Sequence, residues 1–225
     1  MNFLTIFTVS ETSLKVDIPV DIIVPAHLEK IDPMLVPSKN PRHMIINIDY
    51  AFGKQAEHII RALIVLFHKN IKTFNIMGKA GALTGKRGDL LLATQVLLAR
   101  DEQAYPMLEP QITEENPFLH CVHKGAVLTV EGTLLQNRPL LNYYKTFWKC
   151  VGLEMEGSFY ARQIQRAQHQ NLLCNEVESN FLYFVSDLPL EEGSQLSKDM
   201  EAYESVPPIY GIIRAFLHNI FTRET

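Results

Sequence analysis

Val151-Gly152-Leu153-Glu154-Met155-Glu156-Gly157-Ser158-Phe159-Tyr160-Ala161 is the stretch from which the rest of the chain is read. An apolar run, Phe147-Trp148-Lys149-Cys150-Val151, leads into two carboxylates separated by one methionine, and a helical segment follows from about Gly157 to Gln168. Carboxylates at the exit of a buried strand, ahead of a helix, sit where open α/β sheets bind ligands. Burying a carboxylate is costly unless something donates hydrogen bonds to it, and sugar hydroxyls would serve. The plainer reading makes Glu156 a first-turn acid favoured by the helix dipole and Glu154 its solvated neighbour.

The 225 residues suit one domain, 1–225, with a sizeable core. A hydrophobic content of 47% and a charged content of 20% place the chain among ordinary globular proteins. A net charge of −4 supplies no electrostatic attraction for nucleic acid or anionic membrane, so neither is expected as a partner. Cys121, Cys150 and Cys174 are too scattered for a disulfide framework or a zinc site, which points to a reducing compartment. No apolar run is long enough to cross a bilayer and the N-terminus lacks a secretory signal pattern, so a cytoplasmic location is expected.

Residues 1–45 read as short strands, Phe3–Val9 and Val20–Val24, among five prolines. Met44–Ile48 is a buried strand that turns through Gly53 into a helix over Lys54–His68, with Ala56, Ile59, Ile60, Leu63, Ile64 and Phe67 on its inner face. Thr73–Met77 is a strand running into a glycine loop, Gly78-Lys79-Ala80-Gly81, and Leu90–Ala99 is the next strand. Residues 101–123 are expected to be irregular, Gly125–Val130 a strand, and Pro139–Phe147 a short helix with proline at its start. Phe181–Val185 is a strand ending at Ser186-Asp187, and Leu188–Met200 an acidic loop. The last helix is expected over about Pro207–Phe221. Strands alternating with helices predict an α/β fold with helices on both faces of the sheet.

Taken singly, the polar motifs are weak. Gly78-Lys79-Ala80-Gly81 matches neither the dinucleotide fingerprint nor a P-loop, and taken alone it is read as a plain turn sooner than as a site. Gly85-Lys86-Arg87-Gly88 is followed by Asp89, not Ser or Thr, and so is not a P-loop either. His120-Cys121-Val122-His123 has no standard zinc spacing, and no metal is expected. Glu191-Glu192 reads as a solvated loop face. Asp187 follows an apolar strand and would share a sheet edge with Glu154 and Glu156, where a carboxyl protonated by burial supplies general-acid chemistry. A turn cap is the alternative.

Taken in order, Gly78-Lys79-Ala80-Gly81 with Gly88-Asp89, then Glu154-Met155-Glu156, then Ser186-Asp187 resemble the purine nucleoside phosphorylase and nucleosidase superfamily, nearest to its methylthioadenosine/S-adenosylhomocysteine nucleosidase-like members. The likeness covers about residues 45–190 and leaves 1–45 as a divergent N-terminal part. It implies a three-layer α/β/α fold with a central mixed sheet, hydrolysis of the N-glycosidic bond of a purine nucleoside or 5′-substituted nucleoside, no cofactor, and a homodimer. The resemblance gives Glu156 the ribose 2′ and 3′ hydroxyls, packs Met155 beneath the sugar, and has Glu154 help place the nucleophile. Asp187, next to Ser186, would protonate or hydrogen-bond the purine N7. Gly78, Lys79, Ala80 and Gly81 would line the substrate.

The departures lie at the nucleophile and base ends. Ile76 and Lys79 stand where phosphorylases of this group carry arginine and serine, and Tyr183 stands where nucleosidases carry arginine. A water-activating N-terminal glutamate has only Glu11 and Glu29 as candidates, and the base-stacking phenylalanine falls near Thr133 or Leu134. Two alternatives to hydrolysis therefore follow: a non-catalytic nucleoside-binding or scaffold protein that keeps the fold, and a phosphorolytic enzyme that uses Lys79 as a point charge.

Overall fold

In the computed structural model, the described residues are 3–8, 20–23, 32–35, 43–49, 52–132, 137–174, 176–191 and 199–222. The centre of the sheet is a parallel pair, β4 (Ile71–Ala82) and β9 (Glu178–Asp187), registered from Thr73 opposite Glu178 to Gly81 opposite Asp187. A strand covered on both faces has no solvent side to alternate toward, and β9 accordingly reads Phe181-Leu182-Tyr183-Phe184-Val185 without a polar break. Phe181, Tyr183 and Val185 enter one core, and Leu182 and Phe184 enter another.

Around this pair stand β5 (Leu90–Leu98), β7 (Val122–Thr129) and β8 (Cys150–Glu154). The pairings β4–β8, β8–β7, β7–β5, β5–β9 and β9–β4 close a ring of five strands. Outside it, β1 (Phe3–Thr8) pairs in parallel with β4 and with β3 (His43–Ile48), and β2 (Val20–Ile23) forms the antiparallel edge. The other edge is β6 (Gln103–Pro106), antiparallel to β5. It lies in the stretch expected to be irregular, because a four-residue strand is too short to leave a periodic signal.

Helices α1 (Gln55–Phe67) and α3 (Gly157–His169) cover one face, with Ile60, Ile64, Phe159 and Ile164 packed on Phe74 and Phe181. Each such side chain contributes about 1.5–3 kcal/mol by leaving water. Glu57 ties the two helices together by accepting from Arg162 Nη2 at 2.5 Å and Gln163 Nε2 at 2.8 Å. Helix α4 (Ala202–Thr222) covers the other face through Ile212, Phe216 and Ile220, against Leu90, Leu182 and Phe184. Helix α2 (Arg138–Thr146) closes a third cluster at Leu128, Leu141 and Cys150, with Asn137 capping it at Leu140 N. The expected three-layer α/β/α arrangement is the one the chain adopts.

Two expectations need correction. The glycine stretch Gly78–Gly81 is not a loop: β4 continues straight through it to Ala82. Helix α4 begins at Ala202, so Pro207 and Pro208 lie inside it. Their missing N–H groups remove two helical hydrogen bonds near its N-terminal end, where Arg87 Nη2 holds Glu204 Oε2 at 3.3 Å.

Candidate active site

The site is built from three strand ends. Gly81 of β4 pairs with Leu153 of β8 on one side and with Asp187 of β9 on the other. Two interstrand spacings, about 10 Å in all, therefore separate the Glu154-Met155-Glu156 backbone from Asp187. Ala80 and Gly81 run between them.

Glu154 ends β8 and is 4% exposed, which overturns its reading as a solvated neighbour. Its Oε1 accepts from the Thr129 hydroxyl at 2.5 Å, and its Oε2 accepts from the N–H groups of Glu156 at 2.6 Å and Gly157 at 2.5 Å. Thr129 Oγ1 in turn accepts the Ser158 N–H at 2.8 Å. The carboxylate thus satisfies donors that the start of α3 leaves orphaned. Burial first, and the neighbouring Glu156 second, push the Glu154 carboxyl up to about 7, against the pull of its three donors.

Glu156 is half-buried at the N-cap position of α3, and its side chain makes no capping bond to that helix. Instead its Oε1 accepts the N–H of Gly53, at the turn into α1, at 2.9 Å. Burial raises its carboxyl above the ordinary range, and the Gly53 bond works in the opposite direction. Met155, between the two acids, packs partly buried on the α2 cluster.

Tyr183 completes this end from β9. The residue is 2% exposed and its hydroxyl has no hydrogen-bond partner among the described residues. Burial first, then the charges of Glu154 and Glu156, hold its phenol well above 10. Glycine at 157 is what lets these groups meet: a Cβ there would lie 2.7 Å from Tyr183 Oη and 2.9 Å from Glu154 Oε1.

At the other end, the Ser186 hydroxyl donates to Asp187 Oδ2 at 2.6 Å. Ser186 is buried and Asp187 half-buried, so a ligand can meet the carboxyl. A Cβ on Gly78 would meet the Tyr183 ring at 3.3 Å, and one on Gly81 would meet Pro189 at 3.3 Å. The glycines therefore admit Tyr183 and the 188–190 segment against β4. Ala80 is 3% exposed, whereas the Lys79 side chain is exposed. Lys86 and Arg87 belong to a separate turn, where the Lys86 N–H is bonded to Asp89 and Arg87 is paired with Glu204.

Thr129 and the Gly53 amide escaped the sequence reading as members of the site, and Tyr183 entered it only as a departure from the nucleosidase arginine. The apolar runs that end at Thr129 and pass through Tyr183 were visible, but their partners were not. His123, considered above only as a metal ligand, places Nε2 at 2.8 Å from Asp89 Oδ2. Among the described residues no cluster of three or more His, Cys, Asp or Glu side chains could hold a metal, and no helix is long and apolar enough to cross a membrane. Glu11, Glu29, Thr133, Leu134 and Glu192 lie outside the described residues. An open groove of about 490 Å³ beside Lys69, Lys72 and Cys174 lies at the N-terminal ends of β4 and β9, away from the carboxylates.

This fold is that of the nucleosidases. The chain superposes on the MTA/SAH nucleosidase of Streptococcus pneumoniae, solved in complex with 8-aminoadenine, with a TM-score of 0.65 at 13% identity over 96% of this chain and 99% of that one. A futalosine hydrolase mutant of Helicobacter pylori matches with a TM-score of 0.62 at 14% identity, and the Campylobacter jejuni 5′-methylthioadenosine/S-adenosylhomocysteine nucleosidase with 0.62 at 15%, each over 100% of both chains. At such identities the likeness establishes the fold. In sequence the chain belongs to a family of unknown function, DUF6909, whose profile matches residues 4–222. No curated protein matches it in sequence.

Proposed function

We propose that this chain hydrolyses the N-glycosidic bond of a purine nucleoside or a related 5′-substituted nucleoside. The observation that carries this reading is the register at Gly81, which sets the Glu154-Met155-Glu156 segment and Asp187 on opposite sides of one backbone. Glu156 binds the ribose hydroxyls and Met155 packs beneath the sugar. Anionic groups here favour an oxocarbenium-like transition state, in which positive charge develops on the sugar. Asp187, oriented by Ser186, protonates or hydrogen-bonds the leaving base. Glu154 anchors the start of α3 and so positions Glu156 and the nucleophile. Ala80 and Gly81, with Gly78 and Lys79 farther along the same strand, border the site. The substrate is a small molecule, the reaction needs no cofactor, and the reading includes a cytoplasmic homodimer formed from a single 1–225 domain.

Phosphorolysis is disfavoured because Ile76 is 3% exposed in the core and Lys79 projects to solvent, so neither grips an anion beside the carboxylates. A second reading, a nucleoside-binding protein without turnover, is favoured by the neutral Tyr183 where nucleosidases carry arginine. Incubation with purine nucleosides and 5′-thio-nucleosides, with and without phosphate, separates the three. Hydrolysis releases base without phosphate, phosphorolysis releases it only with phosphate, and calorimetric binding without release identifies the binding protein.

A further inference from the structure

The Tyr183 hydroxyl is buried without a partner among the described residues, on the same side of Gly157 as the Glu154 carboxylate. Leaving such a group unsatisfied is costly. Its position is set by long-range packing: β9 brings it under the first turn of α3, where it and Glu154 Oε1 converge on Gly157. A second buried hydroxyl without a partner, Ser158 Oγ, belongs to the same turn.

We propose that Tyr183 Oη binds the attacking water at the sugar end of the site. This rests on the nucleosidase reading above. Among the described residues, no Lys or Arg pairs with Glu154 or Glu156. A phosphate here would meet the like charge of these carboxylates. Water meets no such repulsion. It accepts from the Tyr183 hydroxyl and donates to a carboxylate, which satisfies both. In the reaction the water oxygen bonds to C1′ as the C1′–N bond breaks. The bonding pair leaves with the base, which takes a proton from Asp187, and the water proton passes to the Glu154–Glu156 pair. One proton exchanged through solvent restores both ends.

Two measurements test this. A crystal structure of the full chain, at a resolution that shows ordered water, is expected to place a water on Tyr183 Oη shared with Glu154 or Glu156. An Oη bonded directly to a carboxylate, or with no water at all, overturns the proposal. In base-release assays, Tyr183→Phe is expected to lower kcat at least about tenfold with KM within about twofold. Its Tm should stay level or rise, because the hydroxyl removed has no protein partner. A variant as fast as the wild type overturns the proposal while leaving the nucleosidase reading intact, and so does a slow variant whose Tm falls in step. A wild type that releases base only with phosphate, or not at all, overturns both.

Discussion

Glu156 Oε1 accepts the backbone N–H of Gly53 at 2.9 Å, joining the start of α1 to the start of α3 across 103 residues of chain. The same carboxylate is the one proposed to hold the ribose. Glu156→Gln keeps an acceptor for Gly53 and removes the charge. Turnover in the base-release assay is expected to fall by about 10²-fold or more, with Tm little changed. Equal kcat for the variant and the wild type would rule out an electrostatic role for Glu156.

Glu154 bears on stability through its proton. Its carboxyl is raised from the ordinary 4.5 to about 7 in the fold, so between those values the folded chain binds more protons than the unfolded one. The stabilisation is complete below pH 4.5 and is lost as pH rises through about 7. Urea unfolding across this range is expected to show the wild type weakening toward pH 8, and Glu154→Gln weakening less. Parallel profiles for the two proteins would contradict this. Glu154→Ala should be worse at every pH, because it orphans the two N–H groups and the Thr129 hydroxyl, at about 1–3 kcal/mol for each group left unsatisfied.

Gly157→Ala reverses the usual sign of a helix substitution. Alanine in a helix normally gains up to about 1 kcal/mol over glycine, but here its Cβ would stand 2.7 Å from Tyr183 Oη and 2.9 Å from Glu154 Oε1. Overpacking of this kind costs about 1–3 kcal/mol. Adding Tyr183→Phe to Gly157→Ala removes one of the two clashing oxygens and should recover part of the loss. Additive unfolding energies in that double-mutant cycle would show that the two residues do not meet.

Asp187→Asn should retain nucleoside binding by calorimetry and lose about 10²-fold or more in turnover, the usual worth of a positioned general acid. Ser186→Ala, which deletes the hydroxyl donating to Asp187 Oδ2, should produce a smaller loss in kcat and little change in KM. If Asp187→Asn turns over at the wild-type rate, the leaving-group role belongs to another residue.

Much of the architecture was readable because it rests on local pattern. The apolar run through Val185, the helical stripe from Ala56 to Ile64 and the carboxylates of Glu154 and Glu156 before a helix each depend on neighbours within a few residues. Side-chain period and propensity act on that scale. The order of Glu154-Met155-Glu156 before Ser186-Asp187 was equally plain. What went astray was also local in cause. Glycines in Gly78–Gly81 suggest a loop when taken alone, yet β4 runs through them because Tyr183 and Pro189 need the room.

The sequence by itself determined most of the strands and helices and the order of the acids, since short-range periodicity and residue chemistry are written in consecutive positions. Only the tertiary structure decided that Gly81 lies between Leu153 and Asp187, that Lys79 is exposed, and that Tyr183 Oη and Glu154 Oε1 converge on Gly157. Those relations depend on strand register and on closure of the ring. One residue of slip would send every side chain of a strand to the other face, and nothing within a single strand states which neighbour it will meet.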